Sequence, residues 1–403
     1  MKTQNSKKVK LVVVSTVLIN VIGFGIVIPV LPHYVESFGA SPFTITMLFA
    51  VFAFCSFFSG PFLGSLSDKV GRRPMLLISI ISTALGWLVF ALAHNVFFLF
   101  LGRIIDGMAA GNISIAQNSL VDIAKNKEER TSNLGLIGAA FGIGFILGPL
   151  IGGLLSSFSQ STPFWFATVL AILNVIVAYF FLPETNTKLN KDARPSFNPF
   201  TPLIRGMKNR ILVPSFLAWF LFVLAISSFQ AIFALFIDRT FGLGPFAAGL
   251  IFTAMGVIIA LNQVVALKHF WLKYFTEPNI EFWMILITGI AYFVLSIPIL
   301  PVFLFAMVIN AFGQSILRVV MTSQIVSHSA PEEQGEALGI LSSIQSAGMI
   351  FGPLIAGAVF GMHPSLPLTL SGIFLLLAFV IIFFNRRKIS PTTISSNIPI
   401  MSE

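Results

Sequence analysis

Apolar runs of some twenty residues or more follow one another along the whole chain, separated by short polar stretches. Twelve such segments cover about residues 10–32, 42–66, 74–94, 96–122, 133–157, 162–182, 211–236, 246–268, 280–300, 301–326, 335–360 and 365–385. Each is long enough to cross a hydrocarbon core of about 30 Å. Each must also be helical, because backbone N–H and C=O groups find no water partner in lipid. The pattern predicts an all-α membrane protein of twelve transmembrane helices. The first segment has no small-residue cleavage site and is too long for a signal peptide, so it is expected to remain in the chain.

A second pattern overlies the first. Glu128, Glu129, Leu134, Gly135, Gly144, Gly148, Pro149 and Gly153 reappear at a constant offset of 204 as Glu332, Glu333, Leu338, Gly339, Gly348, Gly352, Pro353 and Gly357. A repeat of half the chain set inside apolar segments predicts two pseudo-symmetric six-helix bundles, at 1–182 and 211–388, with a substrate path between them. The stretch 183–210, rich in Asn, Pro, Thr and Lys, reads as the linker, and the polar residues 389–403 as a tail.

Composition fits this picture: 56% of residues are hydrophobic and only 10% charged. The net charge of +9 raises the question of a nucleic-acid partner, but 21 of the 24 basic residues fall on one side of the predicted bundle. Outside that set, only Arg239 lies in a loop, on the opposite side. The bias marks the cytoplasmic face and places both termini there, so the basic excess reflects topology. Cys55 is the sole cysteine, which excludes an intrachain disulfide. The five histidines fall near segment ends, where no metal cage is expected, and no Walker A pattern or acyl-transfer triad is visible.

Three stretches carry specific chemistry. Gly64-Ser-Leu-Ser-Asp68-Lys-Val-Gly71-Arg72-Arg73-Pro74 forms the turn between segments 2 and 3. Gly64 suits close helix approach and Gly71 a tight turn. Asp68 can meet a helix N-terminus or Arg72, and Asp122 offers a second acid to the arginines. In segment 4, helical spacing aligns Arg103, Asp106, Ala110, Ile113 and Gln117 on one face. Asp106 is the only acid well inside a segment, and charges there face a partner or a wet cavity. In segment 5, GIGFILGPLIGG places Gly144, Gly148 and Gly152 four residues apart for backbone contact, with Gly153 beside them and a kink at Pro149.

These stretches, with GFGIVIPVLPHY in segment 1 and Pro183-Glu184-Thr185 after segment 6, resemble the twelve-helix drug:proton antiporter branch of the major facilitator superfamily, which includes bacterial tetracycline, multidrug and quinolone exporters. The resemblance implies alternating access driven by an ion gradient, expected to be protons, with no bound cofactor. It implies a conformational latch at Gly64, Asp68, Gly71, Arg72, Arg73 and Asp122. It implies proton coupling through Asp106 and Arg103, and an antiporter hinge at Gly144, Gly148, Pro149, Gly152 and Gly153. The acids that tetracycline exporters carry in helices 1, 3 and 9 are replaced here by Asn20, Gly86 and Gly289. Gln230 and the Gln314–Ser315 region replace the acids of the quinolone exporters. Neither group's proton route transfers whole.

Substrate contacts are expected from polar positions beside aromatic walls. Asn310, Gln314, Arg318 and Thr322 repeat every four residues on segment 10. Asn262, Gln230, Asn20 and Gln117 can join them, with Phe24, Phe141 and Phe233 as apolar surface. Three functions are consistent with the residues: export of amphipathic drugs, export of one native compound such as a siderophore or anionic metabolite, and a non-transporting receptor or scaffold. The retained turn and kinked helix argue against the last. The expected setting is the bacterial cytoplasmic membrane, with the lipid bilayer and a small-molecule substrate as partners, no nucleic acid, and a functional monomer.

The topology is testable. With Cys55 replaced by Ala, a membrane-impermeant maleimide is expected to label Arg239→Cys in intact cells. Asn190→Cys and Ser390→Cys should label only after permeabilisation; labelling at 190 from outside overturns the segment assignment.

Overall fold

The computed structural model describes residues 2–186, 212–329 and 333–386, with positions 189, 200, 201, 204 and 206. Most of the linker expected at 183–210 lies outside the described residues, as does the tail expected at 389–403. Twelve helical spans are long and apolar enough to cross a membrane, and none of the described residues is in a strand.

The first half contains α1 (Lys2–Glu36), α2 (Pro42–Val70), α3 (Arg72–Ala91), α4 (Val96–Met108), α5 (Asn112–Asp122), α6 (Lys127–Ser156) and α7 (Thr162–Phe181). The second contains α8 (Val213–Phe241), α9 (Pro245–Leu261), α10 (Glu277–Leu295), α11 (Leu300–Ser327), α12 (Gln334–Phe360) and α13 (Leu366–Arg386). Polar caps start several of them: Ser41, Asn95 and Asn126 each accept a bond from an early backbone N–H, satisfying a donor the helix cannot use. Gly71, at φ 115°, makes the sharp turn between α2 and α3, a conformation that favours glycine.

Two departures from the predicted segments matter for the site. Segment 4 is divided: α4 stops at Met108 and α5 restarts at Asn112. The break is held from α2, where the Ser59 hydroxyl donates to the Gly107 carbonyl at 2.7 Å, a carbonyl near the end of α4. Segment 8 extends past Leu261 through a π-helical stretch, Asn262–Trp271, to Tyr274. Glu281, one turn into α10, is a second buried acid within a helix, so Asp106 is not unique in that respect.

Each half repeats one packing scheme. α6 lies on α1 and α12 lies on α8, by backbone contact at glycine. A methyl group at Gly148 would come within 2.7 Å of the Ile22 carbonyl oxygen and 2.8 Å of the Gly25 Cα. A methyl group at its repeat partner Gly352 would likewise come within 3.0 Å of the Leu224 carbonyl oxygen and of the Ser228 nitrogen of α8. Val21 sits over Gly144 as Val223 sits over Gly348. Lipid tails are as apolar as side chains, so close van der Waals contact rather than water exclusion holds such pairs together. Here the Ser228 hydroxyl adds a bond to the Gly352 carbonyl at 2.9 Å. The halves meet along α1 with α8, α6 with α9, and α2 with α12. The innermost helix is α8, buried along most of its length.

Gly148→Ala should therefore lower the melting temperature in detergent, with overpacking of about 1–3 kcal/mol. Gly142, where an added methyl group would meet nothing within 4 Å, should tolerate Ala or gain stability. Equal responses would show that the α1–α6 crossing is not tight.

Candidate functional site

The two halves enclose a cavity of about 270 Å³. Corresponding faces of the two central helices form its wall: Asn20, Val21 and Phe24 from α1, and Phe222, Val223 and Ile226 from α8. A smaller chamber of about 30 Å³ shares Phe24, Arg103 and Gln230 with it. It continues toward Pro353 on α12 and Val27 on α1.

One end of the molecule is closed by packed backbone. Gly153 of α6 faces Pro245 and Gly249 of α9, and Gly357 of α12 faces Phe43 and Thr46 of α2. Pro149 lies between Gly25 and Gly249, and Gly152 against Ile26, so the glycine motif joins α6 to α1 on one face and to α9 on the other. An Arg239–Glu36 ion pair at 2.6 Å ties α8 to α1 at the same end.

Three charged side chains line the cavity: Arg103, Asp106 and Arg318. Arg103 and Asp106 are almost wholly buried. The Arg103 guanidinium lies 5.0 Å from the ring centres of both Trp87 and Phe90 and 5.8 Å from that of Phe52. Aromatic faces attract a cation, and more strongly where water is excluded. Its Nε and Nη2 have no hydrogen-bond partner. Asp106 is near enough to act on Arg103 electrostatically, and Thr83 stands beside the carboxyl. Gly86 makes this arrangement possible, because a side chain there would collide with the Asp106 Cβ and the Gly102 carbonyl.

Of the face predicted on segment 4, Arg103, Asp106, Ala110 and Ile113 reach the cavity. Gln117 does not, because the break before α5 changes the helical register. Asn20, Phe24, Phe141, Gln230 and Arg318 line it as well. Four other expected contacts do not. Phe233 is fully buried, edge-on to Phe229 at 5.5 Å and Phe252 at 5.0 Å. Asn310 and Gln314 are buried side by side, Gln314 donating to Asn310 Oδ1 at 3.1 Å and to the Tyr292 hydroxyl at 3.4 Å. Asn262 is consumed between helices: it donates to Ser315 Oγ at 2.5 Å and accepts from Trp271 Nε1 at 2.9 Å. These amides are engaged between helices and not on the solute path, although Asn310 Nδ2 makes no hydrogen bond.

Thr83, Trp87, Asn112, Trp219, Gln345 and Met349 line the cavity without having been singled out from sequence. The repeat carries the signal for two of them, since the offset of 204 maps Phe141 onto Gln345 and Phe145 onto Met349.

The charged turn lies away from the cavity. Arg72 pairs with Asp68 at 2.7 Å and with Asp122 at 3.0 Å, and donates to Ser67 Oγ at 2.6 Å. Glu184 caps the start of α3, accepting from the backbone N–H of Arg72 at 2.8 Å and of Arg73 at 3.1 Å. Asp68, expected as one choice for that helix terminus, pairs with Arg72 instead. Arg73 donates to the Tyr179 carbonyl at 2.8 Å. The space around Gly64 is open, so it makes no close helix approach.

The family model of the Major Facilitator Superfamily matches residues 13–276 and 278–399. The chain belongs to the Major Facilitator Superfamily. It is a membrane transporter and not an enzyme. It is 30% identical to the quinolone resistance protein NorA of Staphylococcus aureus over 352 residues, covering 86% of this chain and 88% of that one. It is 28% identical to multidrug resistance protein 2 of Bacillus subtilis over 372 residues, covering 91% and 92%. Among solved structures, a peptide transporter in complex with alafosfalin matches with a TM-score of 0.80 at 14% identity, covering 96% of this chain and 98% of that one. The nucleoside transporter NupG matches with a TM-score of 0.76 at 16% identity, covering 95% and 100%. These two share the transporter's fold.

Removing the Glu184 carboxylate leaves the N–H groups of Arg72 and Arg73 without their acceptor. Glu184→Ala should destabilise the protein by about 1–2 kcal/mol, while Glu184→Gln, whose amide oxygen still accepts, should lose less. Thermal unfolding of the purified variants checks both; equal losses would mean that the cap contributes through charge alone.

Proposed function

We propose that this chain is a proton-coupled exporter of amphipathic, drug-sized organic solutes. In this reading it works as a monomer in the bacterial cytoplasmic membrane, by alternating access, with both termini in the cytoplasm. The observation that carries it is a single carboxylate, Asp106, facing an aromatic cavity between two halves. Kinship with proteins named for quinolone and multidrug resistance supports the substrate class. The basic residues around α2–α3 and the linker orient that end toward the cytoplasm. The closed end, with Glu36 and Arg239, then faces outward, and the cavity is in its cytoplasm-facing state.

The cavity suits such cargo. Phe24, Phe141, Phe145, Trp219 and Phe222 supply flat apolar surface, and Asn20, Gln230 and Gln345 supply directional polar contacts. Coupling requires only that Asp106 hold its proton with different affinity in the two orientations of the cavity, since linkage is reciprocal. Arg103, held among its aromatic neighbours, places a positive charge near that carboxyl.

Asp106→Asn preserves shape and removes the titrating group. It should abolish proton-gradient-driven efflux in proteoliposomes while leaving expression and substrate binding within about twofold of wild type. Efflux that still follows an imposed pH gradient would move the coupling to another acid.

A further inference from the structure

The cavity does not balance its own charge. Its lining holds two guanidiniums, on Arg103 and Arg318, against one carboxylate, Asp106. The charge of Arg103 is accounted for: three aromatic rings surround it and Asp106 is its electrostatic partner, although its Nε and Nη2 make no hydrogen bond. Arg318 is not. It sits two-thirds of the way along α11, within the membrane-spanning bundle. Among the described residues its side chain has no hydrogen bond or ion pair. Its backbone carbonyl alone is engaged, by the Thr322 hydroxyl at 2.8 Å.

Arg318 is also exposed, whereas its neighbours Leu317 and Val320 are buried. The opening it faces is the cavity. An unpaired guanidinium inside a membrane protein is costly and is held where it meets water or a counter-charge. The polar stripe on which sequence placed it does not supply one, because Asn310 and Gln314 turn inward to Tyr292. The second half also contributes Gln345 from α12 and the aromatic surface of Trp219 and Phe222 from α8 to the cavity lining.

We propose that the cargo itself provides the missing counter-charge: the transporter selects amphipathic organic anions or zwitterions whose carboxylate, sulfonate or phosphonate seats on Arg318. This rests on the export reading above and narrows its substrate class. A planar guanidinium presents two parallel donors to such a group, a geometry that a lysine ammonium cannot match. The aromatic part of the same solute lies against Trp219 and Phe222, and Gln345 can donate to a remaining oxygen. Asp106 keeps its own partner in Arg103, so an anion arriving at Arg318 need not displace the coupling carboxyl. Cargo and proton occupy separate places in one cavity.

The test uses two probes that differ by one charge and one methyl group, dansylglycine and its methyl ester, with binding read from dansyl fluorescence on the full-length protein in nanodiscs. Wild type should bind the carboxylate at least about tenfold more tightly than the ester, the difference expected of a charge-assisted pair. Arg318→Gln should lose that preference while keeping ester affinity within about twofold, and Arg318→Lys should retain part of it. A melting temperature close to wild type shows that the variants are folded. Equal affinity of wild type for acid and ester overturns the anion site. So does a parallel loss of both probes in a folded Arg318→Gln. If wild type binds ethidium but neither dansyl probe, the anion site is overturned and the exporter reading stands. If it neither binds nor transports any of the three, the exporter reading falls with it.

Discussion

Helices in lipid gain nothing from excluding water from one another, and the whole architecture depends on what replaces that force: backbone contact at glycine. α1 meets α6 at Gly144, Gly148 and Gly152, and α8 meets α12 at Gly348 and Gly352. These crossings bring α1 and α8 into fixed relation with their own halves and leave an adjoining face of each to line the cavity. The duplication then explains the cavity's shape. Asn20, Val21 and Phe24 on one side are answered by Phe222, Val223 and Ile226 on the other, because each triplet lies next to the valine that packs on the first glycine of its motif.

Onto this symmetric frame the chain places asymmetric charge. The first half carries Arg103 and Asp106 on a helix that stops at Met108, and the break lets Ala110, Asn112 and Ile113 turn toward the same space. The helix facing them in the second half, α11, is unbroken and carries Arg318. The charged turn is likewise one-sided. Arg72, Asp68, Asp122 and Glu184 join α2, α3 and α5 to the end of α7, whereas the corresponding region after α9 is a π-helical stretch stitched by Asn262, Trp271 and Ser315.

Sequence made the spans, the halves and the charged residues of the cavity legible for one reason: membrane burial exaggerates polarity, so a lone Arg or Asp in an apolar run has few tolerable places. It did less well with neutral polar residues. Asn310 and Gln314 share helical spacing with Arg318, and Asn262 lies on another helix, yet all three amides are engaged between helices and not by solute. Periodicity cannot separate an inward-facing amide from one that meets solute. Nor can it separate Phe233, packed between Phe229 and Phe252, from Phe141, which reaches the cavity. The break at Ala109 was hidden because small residues serve an unbroken helix equally well. Glu184 stood in plain view, but its role depends on a contact more than a hundred residues away in sequence.

The same glycine contacts serve two purposes, and their different composition decides which of them can part. Within a half, each crossing runs along successive turns, and that of α12 on α8 is reinforced by buried hydroxyl-to-carbonyl bonds from Ser227 to Gly348 and Ser228 to Gly352. Between halves, α6 meets α9 at Gly153, Gly249 and Gly256 and α12 meets α2 at Gly357, and the named polar links are Thr253 to the Ile146 carbonyl at 3.2 Å, Arg239 to Glu36, and His33 to Asp238 at 3.5 Å. Helical backbone is already satisfied, so opening this seam exposes few unpaired groups. Dispersion contacts are worth about 0.1–0.2 kcal/mol per atom pair, and an ion pair as exposed as Arg239–Glu36 contributes about 0–1 kcal/mol. The seam can therefore part with few buried polar groups left unpaired. Bundles joined by a separable seam are what rocking about a central cavity requires, and in the proposed transport cycle differential binding of cargo and proton, a few kcal/mol in all, is of the size needed to drive it.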